Sequence, residues 1–181
     1  MRFKEKVVIV TGAARGIGRA IAEGFGKEGA KIVVADVLTA EGENTADSIE
    51  KLGSDLVFIK TDVSSKVEVD HLVELTVIRF GTIDVLVNVA GICPFKDFLE
   101  IPEEMWDHVL DVNLKGVFLC SQAVANVMVE KGIPGRIISM GSISSIVGGS
   151  HQAHYCSTKA GINLLNASMA IALGPHGSPA M

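Results

Sequence analysis

The sequence predicts an α/β fold with a doubly wound parallel sheet covered by helices on both faces, and three observations predict it. Short, nearly all-apolar runs rich in β-branched residues alternate with stretches of helical spacing. A glycine-rich turn, Thr11-Gly-Ala-Ala-Arg-Gly-Ile-Gly18, joins the first such run to the first helical stretch. The 181 residues are 48% hydrophobic with 19 glycines, a composition that suits one domain, residues 1–181, with its own core.

Each element can be justified in order. Lys6–Val10 is the first strand, Thr11–Gly18 the turn and Arg19–Glu28 the first helix. Lys31–Ala35 (KIVVA) is a second strand, and Ala40–Leu52 is polar and helix-like. Leu56–Lys60 is a third strand ending at Thr61-Asp62. Lys66–Phe80 places Val69, Leu72, Val73 and Val77 at helical spacing. Val85–Val87 is a fourth strand, and Pro102 opens a long helix through about Met128, as proline does in a first turn. Arg136–Met140 is a fifth strand and His154–Leu173 the last helix. Connections between parallel strands are right-handed.

Composition excludes several function classes. Net charge is -5 and no basic run occurs, which argues against a nucleic-acid partner. No uninterrupted apolar run reaches membrane-spanning length, so no membrane span is expected. The opening MRFKEKVVIVTG holds too short an apolar stretch for a signal sequence and leads directly into the glycine turn. Cys93, Cys120 and Cys156 are odd in number and widely spaced, which fits a reducing, cytoplasmic setting rather than a disulfide framework. The five histidines form no ligand cluster, and no metal is expected.

The glycine turn is suited to a pyrophosphate. Gly12, Gly16 and Gly18 let backbone approach a phosphate, and the following helix N-terminus offers free N–H groups. Asp36 ends the second strand, where a carboxylate accepts hydrogen bonds from adenosine ribose hydroxyls and repels a 2′-phosphate. Arg15, inside the turn, argues the other way, toward a 2′-phosphate. The expected cofactor is therefore NAD in preference to NADP.

Tyr155 and Lys159 stand four residues apart and share a helix face, with Ser142 thirteen residues before the tyrosine. A free phenol has a pKa of about 10. A fixed ammonium beside it favours the phenolate, and such a phenol can exchange a proton with an alcohol or carbonyl.

Thr11-Gly-x-x-x-Gly-x-Gly18, Asp62-Val63, Asn88-x-Ala-Gly91, Asn113, Ser142 and Tyr155-x-x-x-Lys159 occur in this order at these intervals. In this combination the chain resembles the short-chain dehydrogenase/reductase family from about residue 3 to about residue 177. The resemblance implies a Rossmann-like sheet and an NAD(P)-dependent oxidoreductase acting on a CH–OH group. It implies that Tyr155 is the acid/base, that Lys159 supports it and holds the nicotinamide ribose, and that Ser142 bonds the substrate oxygen. Asn113 would hold a water linking Lys159 to solvent, in a long helix that the family distorts locally. Gly12, Arg15, Gly16, Ile17, Gly18, Asp36, Asp62, Val63, Asn88, Ala90 and Gly91, with Tyr155 and Lys159, would surround the cofactor. Val89 departs from the family's usual second asparagine. The helices of about 102–128 and 154–173 would form the interface of a homo-oligomer, a dimer or tetramer.

Ala90-Gly-Ile-Cys-Pro-Phe95, Ser142–Gly149 with Gln152–Tyr155, and Ala170–His176 resemble the same stretches of bacterial and archaeal sugar dehydrogenases. That implies a small-molecule substrate of sugar or polyol type, contacted by Ser142, Ser144, Gln152, His154 and Tyr155. Other substrates met in the family, 3-oxoacyl thioesters and steroid ketones, stay open, since Phe95 and Phe98 would line an apolar wall for any of them. Where the family continues into a sixth strand, this chain reads Gly177-Ser-Pro-Ala-Met181. The last strands and the lid are thus expected to be missing, with a catalytically weak NAD-binding or assembly form as the alternative to an active enzyme.

Overall fold

A computed structural model describes residues 1–176. The elements are β1 (Val7–Thr11), α1 (Gly16–Lys27), β2 (Lys31–Asp36), α2 (Thr39–Glu50), β3 (Leu56–Lys60) and α3 (Lys66–Phe80). They continue with β4 (Val85–Asn88), α4 (Glu103–Leu110), α5 (Gly116–Glu130), β5 (Arg136–Ser139) and α6 (Ala153–Leu173). The five strands are parallel in the order β3-β2-β1-β4-β5. This is the expected doubly wound, Rossmann-like sheet. The expectation attached to 177–181 lies outside the described residues.

Two-sided burial explains the all-apolar strands. Val7 and Ile9 of β1 pack into one core with Val33, Leu72, Leu86, Leu119 and Ile137. Their neighbours Val8 and Val10 pack into the other with Ala22, Ile32, Val34 and Ile49. Alternate side chains of a strand point to opposite faces, so a strand covered on both faces has no polar position to spare.

The expected single helix from Pro102 to Met128 proves to be two. Pro102 is the N-cap of α4 rather than its first helical residue. Between α4 and α5, Asp111–Lys115 form a π-helical turn centred on Asn113. The helical run Glu103–Glu130 has the length and hydropathy of a membrane span, with 50% of its most apolar window buried inside the fold. Val117, Leu119, Cys120, Val124 and Met128 of α5 face the core, which accounts for that hydropathy.

Candidate active site

The strands end level. Thr11 pairs with Ala35 on one side and Asn88 on the other, and Asn88 pairs with Ser139. Because β1 lies between β2 and β4, the connections leaving the sheet diverge there, which opens a crevice at the carboxyl ends.

The glycine turn floors that crevice. Gly12 and Gly16 have φ of 65° and 59°, a left-handed backbone that favours glycine. A Cβ on Gly12 would lie 2.7 Å from Ala90 Cα. A Cβ on Gly18 would run into the Gly12 carbonyl oxygen, whereas one on Gly16 would meet nothing within 4 Å. Thr11 Oγ1 accepts from the N–H groups of Val89 (3.1 Å) and Ala90 (3.3 Å), which fastens the turn to the loop after β4. The α1 N-terminus carries no side-chain cap, so its first N–H groups have no acceptor within the helix. Ile17 beside them is 62% exposed. A close-approach turn, open space at Gly16 and free helix N–H groups together fit the pyrophosphate of a dinucleotide.

Asp36 is held by two backbone donors. Oδ2 accepts from Ala14 N–H (2.9 Å) and Oδ1 from Leu38 N–H (3.1 Å). A carboxylate has further acceptor capacity on both oxygens. Arg15 is a wall residue of a cleft of about 760 Å³, shared with Gly91, Ile92, Cys93, Glu104 and Met105.

Several predicted cofactor residues are placed more as supports than as exposed contacts. Val63 is buried against Gly116, so its side chain is not free to meet a ligand. Asp62 Oδ1 accepts from the Ser64 N–H (2.9 Å) and hydroxyl (2.7 Å), while Asp62 N–H donates to Glu68 Oε2 (2.8 Å). Asn88 is buried, its amide donating to Ser121 Oγ at 3.1 Å and Ser139 Oγ at 3.5 Å. Gly91 packs 3.2 Å (as a Cβ would stand) from Asn113 Oδ1. Val89, at the position of the family's second asparagine, packs with the apolar core beneath the turn.

Tyr155 and Lys159 lie on the first turns of α6, as expected. Lys159 Nζ stands 5.6 Å from the Tyr155 ring centroid. It donates to the Met140 carbonyl at 2.6 Å. Lys159 is 5% exposed. Burial pulls its amine pKa below the ordinary lysine value, a nearby Cys93 opposing the shift. Burial, then the neighbouring Cys156, raise the Cys93 thiol, and burial alone pushes Cys120 up to about 12. Ser142 Oγ accepts from Ser144 N–H (3.1 Å) and caps the short turn against which α6 packs, leaving its hydroxyl hydrogen free to donate.

Asn113 is fixed by the π turn. Its Oδ1 accepts from Ile92 N–H and its Nδ2 donates to Ile92 O, both at 2.8 Å, with a further 3.4 Å bond to Thr158 Oγ1. Thr158 in turn donates to the Tyr155 carbonyl at 2.7 Å. The amide thereby clamps the loop after β4 to α6.

The predicted substrate contacts divide. Gln152, the N-cap of α6, donates from Nε2 to Ser144 Oγ (3.4 Å), and its Oε1 accepts from Cys93 Sγ (3.5 Å), so Ser144 and Gln152 stand together at the start of the helix that carries Tyr155. His154 does not join them. It is fully buried, with Nδ1 accepting from the Tyr155 N–H at 2.9 Å, so it cannot touch a ligand in this conformation. The sequence position beside Tyr155 suggested contact, but successive helix residues point about 100° apart.

Other site-forming residues escaped the sequence reading: the Met140 carbonyl, Thr158, and Ser121, Ser139 and Asn166 around Asn88. Asn166 carries a signal, since it stands seven residues after Lys159 and so returns to the same helix face.

A parallel sheet with a phosphate-suited turn at its switch point and a tyrosine–lysine pair beside it defines a dinucleotide-dependent oxidoreductase architecture. The family profile described as "short chain dehydrogenase" matches residues 6–178, and the chain belongs to that family. It is 44% identical over 181 residues to an L-rhamnose 1-dehydrogenase (NAD(P)(+)) of Azotobacter vinelandii, covering 98% of this chain and 71% of the relative. It is 39% identical to an L-rhamnose 1-dehydrogenase (NADP(+)) of Thermoplasma acidophilum, covering 97% of this chain and 69% of the relative. The crystal structure of gox2181 superposes with a TM-score of 0.94 at 31% identity, covering 98% of this chain and 70% of that one.

Proposed function

We propose that this protein oxidises a CH–OH group of a sugar or polyol, with NAD(P) as hydride acceptor and Tyr155 as acid/base. The observation that supports the reading is the Tyr155–Lys159 pair, with Lys159 Nζ 5.6 Å from the phenol ring centroid and bonded to the Met140 carbonyl just past the carboxyl end of β5. The bound nicotinamide supplies an electrophilic carbon that accepts a hydride.

The chain's own groups do the rest. Ser142 donates its free hydroxyl hydrogen to the substrate oxygen and holds it beside the phenol. Tyr155 takes the hydroxyl proton as the carbon-bound hydrogen leaves as hydride, so that the alcohol becomes a carbonyl. Lys159, charged and close to the ring, offsets the negative charge that develops on the phenol oxygen. The clamp of Asn113 through Thr158 keeps the start of α6 in place. Gly12, Gly16, Gly18 and the α1 N-terminus would hold the pyrophosphate, the exposed Ile17 beside them would contact the cofactor, and Asp36 would accept from the adenosine ribose. Ser144 and Gln152 supply hydrogen bonds that a polyhydroxylated substrate needs.

NAD is the preferred cofactor in this reading, because the Asp36 carboxylate, held by the Ala14 and Leu38 N–H groups, repels a 2′-phosphate. The exposed Leu164 and Ile171 on α6, with Phe118 on α5, favour a homodimer through these helices. Three free cysteines suit a reducing compartment.

Cofactor reduction at 340 nm with a panel of aldoses and polyols tests the function. Turnover with at least one is expected, and cofactor binding without turnover on any sugar, polyol or keto substrate refutes the reading. One observation favours a second substrate class: Phe95, Phe98, Ile143 and Ile146 are exposed on the loops beside the site. Preferential turnover of a steroid ketone or 3-oxoacyl thioester in the same assay would select it.

A further inference from the structure

Below the reacting groups lies a chain of side-chain hydrogen bonds that crosses four elements. Asn88 Nδ2, on β4, donates to Ser121 Oγ on α5 at 3.1 Å and to Ser139 Oγ on β5 at 3.5 Å. The Ser139 hydroxyl donates to Asn166 Oδ1 on α6 at 3.1 Å. Ser139 thereby uses its one hydrogen toward α6 and a lone pair toward β4. Asn88 and Ser121 are buried.

The residue after Ser139 is the one that Lys159 holds. Met140 receives the lysine amine on its carbonyl at 2.6 Å, and its N–H donates to Asn88 O at 2.9 Å. Thus α6 grips two adjacent residues at the end of β5 with two side chains, Lys159 and Asn166. These stand seven residues apart, a separation of about 10.5 Å along a helix axis. The long lysine and the short asparagine converge on a step of about 3.3 Å along the strand. Two contacts so spaced fix both the height and the rotation of α6 against β5, which one contact cannot do.

We infer that Asn166 is a positioning residue: by bonding Ser139 it sets the height and rotation of α6, and with them the reach of Lys159 and Tyr155 over the crevice. The inference rests on the acid/base reading proposed above. It assigns a part in the reaction to a side chain two helical turns from the chemistry.

Steady-state kinetics of Asn166→Ala, Asn166→Asp, Ser139→Ala and the Ser139→Ala/Asn166→Ala pair test it, with NADH affinity from fluorescence titration and amide exchange of α6 as independent readouts. Asn166→Ala is expected to lower kcat at least tenfold, to leave the NADH Kd within about twofold, and to speed exchange in the Tyr155–Lys159 turn. Asn166→Asp keeps the acceptor oxygen that faces Ser139 and is expected to restore most of kcat. Ser139→Ala is expected to lower kcat in the same direction, and the double variant to lose less than the sum of the two single losses, the signature of a shared contact. A kcat within twofold of the parent for Asn166→Ala, an equal loss in Asn166→Asp, or additive losses in the pair would overturn the inference. Should the parent chain turn over no substrate, the functional reading fails instead. The exchange rates of Asn166→Ala and Ser139→Ala then decide the tether, unchanged rates in the Tyr155–Lys159 turn overturning it.

Discussion

Replacing the three glycines of the phosphate-binding turn one at a time by alanine should give three different outcomes, because each is a glycine for a different reason. At Gly16 the backbone is left-handed (φ 59°) and a Cβ meets nothing within 4 Å. Gly16→Ala therefore pays only the left-handed penalty of about 1–2 kcal/mol, partly offset by about 0.4–1 kcal/mol from a less flexible unfolded chain. At Gly12 the same penalty applies (φ 65°), and a Cβ stands 2.7 Å from Ala90 backbone, which cannot swing away. Crowding of that kind adds about 1–3 kcal/mol, so Gly12→Ala should be less stable than Gly16→Ala by about that amount. Gly18 has no left-handed strain, but its Cβ would meet the Gly12 carbonyl, and α1 must move away from the turn. Urea unfolding at fixed m-value ranks the three, and NADH fluorescence titration gives their affinities. Gly16→Ala should keep most stability and still lose cofactor affinity by tenfold or more, since its methyl enters the space left for phosphate. Equal stability losses at Gly16 and Gly12, or unimpaired NADH binding by Gly16→Ala, would refute this account of the cradle.

Four further outcomes follow from the site. Tyr155→Phe should lower turnover by about 10²–10⁴-fold with NADH affinity within a few-fold; equal rates for the variant would contradict the acid/base role. Asp36→Ala should reduce the preference for NAD over NADP, read as the ratio of kcat/KM values, and an unchanged ratio would contradict its assignment to the ribose. Lys159 has a folded-state pKa lowered by burial, so the unfolded chain binds more protons between that value and the ordinary 10.5. Stability from this group is thus present above 10.5 and lost as pH falls through the lowered value. The stability of Lys159→Met relative to the parent should accordingly decline as pH rises through that window, and a flat difference in urea midpoints would rule out burial as the cause. For the thiols, raised pKa values predict slow labelling of Cys93 at neutral pH that quickens in alkali. Native Cys120, with its pKa pushed up to about 12, should stay unlabelled until unfolding, and mass spectrometry of maleimide adducts would show either failing.

Much of this architecture is written locally, and so was legible in the sequence. Strand cores such as Val7–Val10 and Ile32–Val34 are apolar at every position because both faces are covered. The Lys66–Phe80 helix matches its expected bounds because Ser65 caps one end and Gly81 adopts the left-handed conformation at the other. Residues whose role depends on helix direction were harder to read. His154 adjoins Tyr155 in sequence yet turns into the interior, and Val63 adjoins Asp62 yet fills the space over Gly116. The Asn88–Ser139–Asn166 chain joins residues 51 and 27 positions apart, and no local pattern encodes such a meeting. The break at Asn113 was visible only through the family resemblance, because Asp111–Lys115 contains no proline or glycine to announce it.

That break has a consequence for how the chain tolerates change in length. A π turn holds one residue more than an α turn, so α4 and α5 are out of phase by the angle one residue subtends, about 100°. Removing any one residue between 111 and 115 would let the run 103–130 close into a single regular helix. Either Asn113 would then swing off the Ile92 peptide, or the apolar face of α5 would rotate off the sheet. Around Asn113 itself, whose amide is fully engaged, this stretch is thus bound in its length as well as in its sequence.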